Sequence, residues 1–225
     1  GAIAKIPTIV IVPEGKTSTS KLAQANMYGA KVVMIDGGFD QALEFCLEIS
    51  KTKSLTLVNS INTDRLHGQK TAAFEIIEEL GSAPDYHCLP VGNAGNITAH
   101  WMGYTEYHEI GKSDSKPTML GYQAEGAAPF IKGSKVDNPE TIATAIRIGN
   151  PQSWDQALKL SKESNGWFDA FTDKEILATQ KMLTEKEGVF CEPASATSVA
   201  GALRDIKLGK IPEGSSVVCT LTGHG

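Results

Sequence analysis

Short apolar runs alternate with amphipathic stretches of helix length along the 225-residue chain, and this alternation constrains the fold more than any other feature. Thr8 to Val12 and Lys31 to Ile35 have the length and β-branched content of strands. Between them, residues 20–28 have helical spacing and stop at Gly29. Repeated strand–helix–strand order is typical of parallel sheets covered by helices. The sequence therefore predicts an α/β fold with mostly parallel sheets and flanking helices.

The pattern continues in the same way through the first third of the chain. Asp40 can cap a helix over Gln41 to Ile49, and Leu55 to Asn59 has the apolar character of a buried strand. A longer helix is predicted from Gly68 to Leu80, ending at Gly81. The pattern places a domain boundary near Gly81.

The remainder repeats the alternation without internal repeats or low-complexity tracts. The predicted strands are Tyr86 to Val91, Thr118 to Gln123 and Ser216 to Leu221, and the predicted helices cover residues 97–108, 141–148, 154–164, 173–187 and 194–208.

Composition and charge exclude several classes of protein. The net charge of -5 and a pI near 5.6 argue against a nucleic-acid partner, since no basic stripe stands out. No apolar stretch approaches the roughly 20 residues that span a bilayer, so no membrane contact is expected. The four cysteines lie far apart and no histidines have ligand spacing, which predicts neither a metal site nor a dense disulfide framework. Cys46, Cys88 and Cys219 sit among apolar residues, which predicts buried free thiols in a reducing cytoplasm.

Gly92-Asn93-Ala94-Gly95-Asn96 is a glycine-rich turn between a predicted buried strand and a predicted helix. Glycines let the backbone approach a ligand, and the N–H groups at a helix start together favour an anion such as phosphate. The turn has neither the G-x-G-x-x-G nor the Walker spacing, so dinucleotide and ATP sites lack their fingerprints. Taken alone, such a turn also occurs as a plain strand-to-helix connection.

A second candidate anion site lies at Asn59, Ser60 and Arg65, which follow a predicted strand. Ligands in open α/β sheets bind at the carboxyl ends of strands, where an arginine offers a charged fork. The alternative is a polar interdomain loop with Ser60 or Asn62 as a helix cap.

Two further segments carry weaker signals. Glu192-Pro193-Ala194-Ser195-Ala196 can start a helix and pack closely against a neighbour or a flat ring. Thr222 follows the last predicted strand, where a hydroxyl can bond a ring nitrogen or cap a turn.

In this order the segments closely resemble the threonine synthases over essentially the whole chain. The resemblance rests on long motifs at Asn59-Ser60, Arg65, Gly68 to Glu75, Gly92 to Thr98, Pro139 to Gly149, Glu192 to Ala196 and Thr222-Gly223.

The resemblance implies a pyridoxal-phosphate enzyme of the tryptophan-synthase-like fold, with residues 1–62 in a small mobile domain and 63–225 in most of the cofactor domain. It assigns the loop from Gly92 to Asn96 to the cofactor phosphate and Thr222 to the pyridine nitrogen. Asn59, Ser60 and Arg65, with Asn96 as a further candidate, are assigned to the phosphate of O-phosphohomoserine.

The implied reaction converts O-phosphohomoserine and water to threonine and phosphate. It needs a Schiff-base lysine, which the family carries in an upstream segment that has no counterpart here; Lys70 matches a different motif. No catalytic residue is therefore assigned, and we expect a fragment that is inactive alone. Some family members are dimers, which makes a homodimer possible.

Two alternatives stay open. One is a related pyridoxal-phosphate serine or threonine dehydratase, whose substrates carry no phosphate and would not need Arg65. The other is a non-catalytic phosphate-binding module, which the missing lysine supports.

Overall fold

The computed structural model describes residues 1–15, 19–59 and 62–224, apart from the side chains of Ser20, Phe39 and Asp40. The chain divides into two compact units, Gly1–Asn59 and Ser60–Gly225. This division falls well before Gly81, where the sequence pattern alone placed a boundary. Among the described residues, no helix combines the length and apolar content needed to cross a bilayer.

In the first unit, parallel strands β1 (Ile9–Pro13) and β2 (Lys31–Ile35) pair with Ile9 opposite Lys31. Helix α1 (Thr19–Met27) connects them, and α2 (Phe39–Thr52) follows. Strands β1 and β2 lie within one residue of their predicted bounds, because each has its ladder partner within the unit.

Two predictions for this unit were wrong. Residues 55–59 form no strand, and Val58 is 71% exposed, since an apolar run becomes a strand only where a ladder partner lies beside it. Asp40 is not a helix cap, because α2 starts earlier with Gly38 as its N-cap, whose N–H donates to Gln41 Oε1 at 2.9 Å.

The second unit is built on parallel strands in the order β5-β4-β3-β6. Its strands are β3 (Tyr86–Pro90), β4 (Thr118–Ala124), β5 (Trp167–Phe171) and β6 (Val217–Cys219). Its helices are α3 (Thr63–Gln69), α4 (Thr71–Leu80), α5 (Gly95–Glu109), α6 (Pro129–Lys132), α7 (Trp154–Glu163), α8 (Asp173–Glu187) and α9 (Pro193–Lys207), with a 3₁₀ turn at Thr144–Ile146.

The sheet of the second unit has an apolar cluster on each face. Successive side chains of a strand point to opposite faces, so Cys88 joins the cluster with α8 and α9, and Leu89 joins the one with α4, α5 and α7. Both side chains are fully buried. This two-faced burial holds the carboxyl ends of the strands in fixed positions.

Three elements differ from the sequence prediction. The helix predicted over residues 68–80 is two helices that meet at Lys70, and residues 141–148 contain only the 3₁₀ turn. Strand β5 was not predicted: its sequence Trp-Phe-Asp-Ala-Phe becomes a strand because Leu120 pairs with Trp167 at the start of its ladder with β4.

Candidate functional site

The turn between β3 and α5 is held in a conformation that ordinary residues seldom adopt. Ala94, the N-cap of α5, has φ 61° and ψ 9°, in the left-handed region, and its side chain is buried. Gly92 is buried as well, and a Cβ at this position would lie 3.0 Å from Ile146 Cα. The turn is thus shaped by close backbone contact rather than by large side chains.

This turn presents a row of unused backbone donors. The N–H groups from Gly92 to Asn96 donate no hydrogen bond to any residue that the structure describes. Because α5 has 15 residues, the positive end of its dipole adds to these donors. Consecutive N–H groups at a helix start form a suitable site for an anion.

The two asparagines hold the turn in place, Asn96 through its side chain and Asn93 through its backbone carbonyl. Asn96 Nδ2 donates to the Pro90 carbonyl at 2.8 Å, and its Oδ1 accepts from the Ile97 N–H at 2.8 Å. The Asn93 carbonyl accepts from the Ser153 N–H at 3.1 Å, which ties the turn to the start of α7. The backbone donors are therefore fixed in place before any ligand arrives.

Thr222 lies beyond the end of β6, and it is exposed. Its hydroxyl lies 2.8 Å from Ser195 Oγ, at the start of α9. The N–H groups of Thr222 and Gly223 also donate to Ser195 Oγ, at 3.0 and 3.2 Å. A fully buried serine thus fixes the segment that carries an exposed hydroxyl.

Thr222 and the turn at Gly92 lie at the same edge of the sheet. Strands β3 and β6 are parallel neighbours with Cys88 opposite Cys219, and both candidate segments follow shortly after these residues. Adjacent strands lie about 4.8 Å apart, so their carboxyl ends present the two segments side by side. This is the edge at which open α/β sheets bind ligands.

The residues predicted to bind a second phosphate are less completely described. Asn59 ends the first unit, and Ser60 lies outside the described residues. Arg65 is exposed on α3, and its guanidinium forms no hydrogen bond or ion pair within the described part of the chain. The next residue, Leu66, has Cδ2 3.7 Å from the position of a Cβ on Gly95, so α3 packs against the start of α5.

A buried polar cluster joins the strands beneath this edge. His87 Nε2 lies 2.7 Å from Thr220 Oγ1, and His87 Nδ1 lies 2.9 Å from the Tyr104 hydroxyl. His100 Nδ1 lies 2.8 Å from the Asn96 carbonyl. Burial, reinforced by the neighbouring His100, lowers the pKa of His87 well below its ordinary value, so the imidazole is neutral.

Comparison with known proteins agrees with this geometry. A family model described as "Pyridoxal-phosphate dependent enzyme" matches residues 1–223. The chain belongs to this family. The fold class expected from the sequence and pyridoxal phosphate as the family's cofactor are thereby confirmed.

The relatives of this pyridoxal-phosphate family member include named threonine synthases. The chain is 56% identical over 222 residues to the threonine synthase of Synechocystis sp., and the match covers 99% of this chain and 58% of the relative. It is 55% identical over 225 residues to the threonine synthase of Mycobacterium tuberculosis, and the match covers 100% of this chain and 62% of the relative. The chain therefore spans less than two thirds of the length of these relatives, and its resemblance to the threonine synthases is confirmed.

A solved structure supports the fold independently. The processed form of threonine deaminase isoform 2 from Solanum lycopersicum superposes with a TM-score of 0.79 at 22% identity, covering 97% of this chain and 63% of that one. At this identity the likeness shows a shared fold alone.

The residues present fit the family's cofactor. The five N–H groups from Gly92 to Asn96 suit its phosphate, and close backbone contact at Gly92 leaves little room for a side chain at that position. The exposed hydroxyl of Thr222 at the same edge suits a ring nitrogen. No group of three or more metal-ligating side chains occurs within residues 1–15, 19–59 and 62–224.

The side chain of Lys70 contacts Glu106 and Phe74 rather than the turn from Gly92 to Asn96. Its Nζ forms a close ion pair with Glu106 Oε2, and its side chain is 17% exposed. The same Nζ lies 5.9 Å from the centre of the Phe74 ring. These contacts fix Lys70 as a support between α4 and α5.

Sequence reasoning did not find the roles of Ser195 and His87. The motif that contains Ser195 predicts a helix start and close packing, and nothing in the sequence around His87 indicates a partner for its ring. Their contacts with Thr222 and Thr220 connect residues 27 and 133 positions apart. The only local signal was a polar residue within an otherwise apolar helix start or strand.

Proposed function

We propose that this chain is the part of a threonine synthase that binds the cofactor phosphate, the cofactor ring nitrogen and the substrate phosphate. The complete enzyme would convert O-phospho-L-homoserine and water to L-threonine and phosphate. In this proposal the first unit belongs to a small mobile domain, and the second forms most of the cofactor domain of a cytoplasmic enzyme.

The observation that carries the proposal is a pair of distinct anion-binding features in the second unit. One is the row of N–H groups from Gly92 to Asn96, and the other is the exposed guanidinium of Arg65. The packing of Leu66 near Gly95 brings the helix that carries Arg65 to the start of α5. A reaction in which both the cofactor and the substrate carry a phosphate needs two such features.

The residues divide the work of binding and orientation. The turn holds the cofactor phosphate through backbone donors, and Thr222 orients the ring through its nitrogen. Arg65, with Asn59 and Ser60, holds the phosphate that leaves. Pyridoxal phosphate, when bound, supplies an electron sink that stabilises negative charge on substrate carbons.

We infer that residues 1–225 alone do not form threonine. Lys70 lies between Arg65 and the turn at Gly92 in sequence and forms an ion pair with Glu106, which supports assigning the cofactor lysine to another segment. Threonine formed from O-phosphohomoserine by the purified chain would contradict this inference.

Nuclear magnetic resonance of the amides tests the cofactor site directly. We expect the amide signals of residues 92–96 to shift on titration with pyridoxal phosphate, and more weakly with inorganic phosphate. The amides at the start of α8, also a helix of 15 residues, serve as the control because Thr172 and Glu175 already cap it. Equal shifts at both helix starts would indicate unspecific anion binding.

The substrate phosphate is tested in the complete enzyme with Arg65→Ala. We expect KM for O-phosphohomoserine to rise at least about tenfold, because the substrate phosphate loses roughly one charge-assisted hydrogen bond. Dehydration of unphosphorylated serine should change little. Lys181→Ala, an exposed cation on α8, is the control. An equal loss for both substrates would favour a dehydratase.

A further inference from the structure

Ser195 Oγ has four polar atoms within 3.2 Å. It receives the N–H groups of Thr222 and Gly223, at 3.0 and 3.2 Å. It also lies 2.8 Å from Thr222 Oγ1 and 3.2 Å from the Gly223 carbonyl. Since Ser195 is fully buried, protein groups alone decide where its proton points.

Counting protons and lone pairs fixes the direction of the bond between the two hydroxyls. A serine hydroxyl has one proton and two lone pairs, and the two N–H groups occupy both lone pairs of Ser195. Thr222 therefore cannot donate to Ser195 as well. The remaining arrangement has Ser195 donating to Thr222 Oγ1.

Among the described residues, the Gly223 carbonyl is the only acceptor other than Thr222 Oγ1 that could receive the Ser195 proton. Its oxygen already accepts from the Glu192 N–H at 2.9 Å, and its distance from Ser195 Oγ is longer than that of Thr222 Oγ1. If the proton pointed there, Thr222 would have to donate to an oxygen whose lone pairs are full. The shorter contact therefore takes the proton.

The Thr222 hydroxyl is then left with its own proton to donate. Among the described residues its other neighbour is Glu192 Oε1 at 3.5 Å, which is too long for a strong hydrogen bond. Because Thr222 is exposed at the carboxyl edge of the sheet, that proton is available to a ligand with a lone pair.

We propose that Ser195 is a positioning residue that makes Thr222 a hydrogen-bond donor, so that the ring nitrogen of bound pyridoxal phosphate is held unprotonated. This inference rests on the proposed cofactor site. Ser195 itself does not touch the cofactor; it acts through the orientation of one hydroxyl proton.

Glu192 is the charged group that opposes this arrangement. Its carboxylate lies near Thr222 and would stabilise a protonated ring nitrogen through charge attraction. The proposal therefore predicts an unprotonated ring nitrogen in both the wild-type chain and Glu192→Gln. If Glu192 instead kept the nitrogen protonated in the wild-type chain, Glu192→Gln would remove that proton.

The test measures the ring nitrogen itself. The chain is loaded with pyridoxal phosphate that carries ¹⁵N in the ring, and the ¹⁵N chemical shift is followed with pH. In the wild-type chain we expect a neutral nitrogen at pH values where the nitrogen of free pyridoxal phosphate is protonated. Ser195→Ala should move the titration midpoint back towards the free cofactor by at least about one pH unit.

Ser198→Ala is the matched control. Ser198 is a fully buried serine on the same helix, three residues further on, and its Oγ lies 2.9 Å from the Ser195 carbonyl oxygen and 3.1 Å from the Thr220 carbonyl oxygen. Its removal should leave the ¹⁵N titration unchanged. A midpoint that moves equally in Ser195→Ala and Ser198→Ala would assign the effect to helix packing and would overturn the proposal.

A second measurement stays valid if Ser195→Ala does not fold. Pyridoxal phosphate methylated at the ring nitrogen has no lone pair to accept from Thr222. We expect it to bind the wild-type chain at least about tenfold more weakly than pyridoxal phosphate. The two should bind alike to Thr222→Val, and equal affinity for the wild-type chain would refute the donor role.

The outcomes separate this inference from the cofactor site on which it rests. If pyridoxal phosphate shifts the amides of residues 92–96 but its ring nitrogen stays protonated, the cofactor site stands and the role of Ser195 is wrong. If neither form of the cofactor binds, both are wrong.

Discussion

The hydroxyl of Thr220 lies 2.7 Å from Nε2 of His87, so the residue that follows β6 is bonded to a buried imidazole on β3. Nδ1 of the same ring lies 2.9 Å from the Tyr104 hydroxyl of α5. One histidine thereby joins the strand end that leads to Thr222 with the helix that begins at the turn from Gly92 to Asn96. Burial lowers the pKa of this histidine, so the ring is neutral at pH 7.

This neutrality predicts a loss of stability in weak acid. Burial holds the pKa of His87 below the ordinary value of 6.5, and burial also lowers the pKa of His100. The unfolded chain therefore binds more protons below pH 6.5, and folding is fully favoured only above that value. We expect the free energy of unfolding to fall by up to about 1.4 kcal/mol per pH unit for each histidine below pH 6.5.

Urea unfolding at pH 5.5 and 7.5, followed by tryptophan fluorescence, measures this loss. All three tryptophans lie in the second unit, so the signal reports on that unit. His87→Gln should lower the free energy of unfolding at pH 7.5 and reduce the difference in this free energy between pH 5.5 and pH 7.5. His67→Gln, at an exposed position on α3, is the control and should retain the full difference.

A methyl group on Gly201 is expected to destabilise the second unit severely. A Cβ there would lie 2.2 Å from Tyr122 Cζ, and Tyr122 is fully buried with its hydroxyl donating to Asp205 Oδ2 at 2.6 Å. Gly201→Ala should cost about 3 kcal/mol or more, at the upper end of overpacking effects.

Gly68→Ala is the matched comparison for Gly201→Ala. Gly68 is also helical, and a Cβ there meets no atom within 4 Å. The substitution should stabilise the unit by about 0.5 to 1 kcal/mol. Urea midpoints of the two variants at pH 7.5 check both signs. A similar loss in both variants would show that the contact with Tyr122 does not decide the effect, because helix propensity alone predicts a gain at both positions.

Gly92→Ala should weaken pyridoxal phosphate binding. The added Cβ would lie 3.0 Å from Ile146 Cα and 3.2 Å from the Ala145 carbonyl oxygen, so the turn must move away from the 3₁₀ turn behind it. We expect at least about a tenfold rise in Kd, because the row of N–H donors loses its alignment. Equilibrium dialysis measures Kd, and unaltered amide signals in α8 confirm that the variant is folded. An unchanged Kd would place the cofactor phosphate elsewhere.

Lys70 should react slowly with acylating reagents. Its Nζ is paired with Glu106, and little of its side chain is exposed, whereas Lys159 and Lys181 have side chains more than 70% exposed. Mass spectrometry after brief acetylation should show several-fold less modification at Lys70 than at these two. Glu106→Gln should raise the reactivity of Lys70 and leave that of Lys181 unchanged; no change at Lys70 would mean that the ion pair does not protect it.

The elements that sequence reasoning predicted well are those whose pattern is local. Lys31–Ile35 and Asp173–Glu187 have the predicted bounds, because the first is a short β-branched run and the second has a capping pair at Thr172 and Glu175. Residues 55–59 and β5 were misassigned for the opposite reason. A strand exists only where a ladder partner lies beside it, and the partner is distant in sequence.

The same distinction applies to the site. By itself the sequence determined the parallel α/β class, the glycine-rich strand-to-helix turn from Gly92 to Asn96 and the order of motifs that marks the family, because each depends on residues close together in the chain. Only the tertiary structure decided that the hydroxyls of Ser195 and Thr222 lie 2.8 Å apart and that His87 is buried against Thr220. Those contacts depend on which donors and acceptors folding brings within 3 Å of each other. Strand β3, the end of β6 and the start of α9 meet only in the folded unit, since they are far apart in sequence.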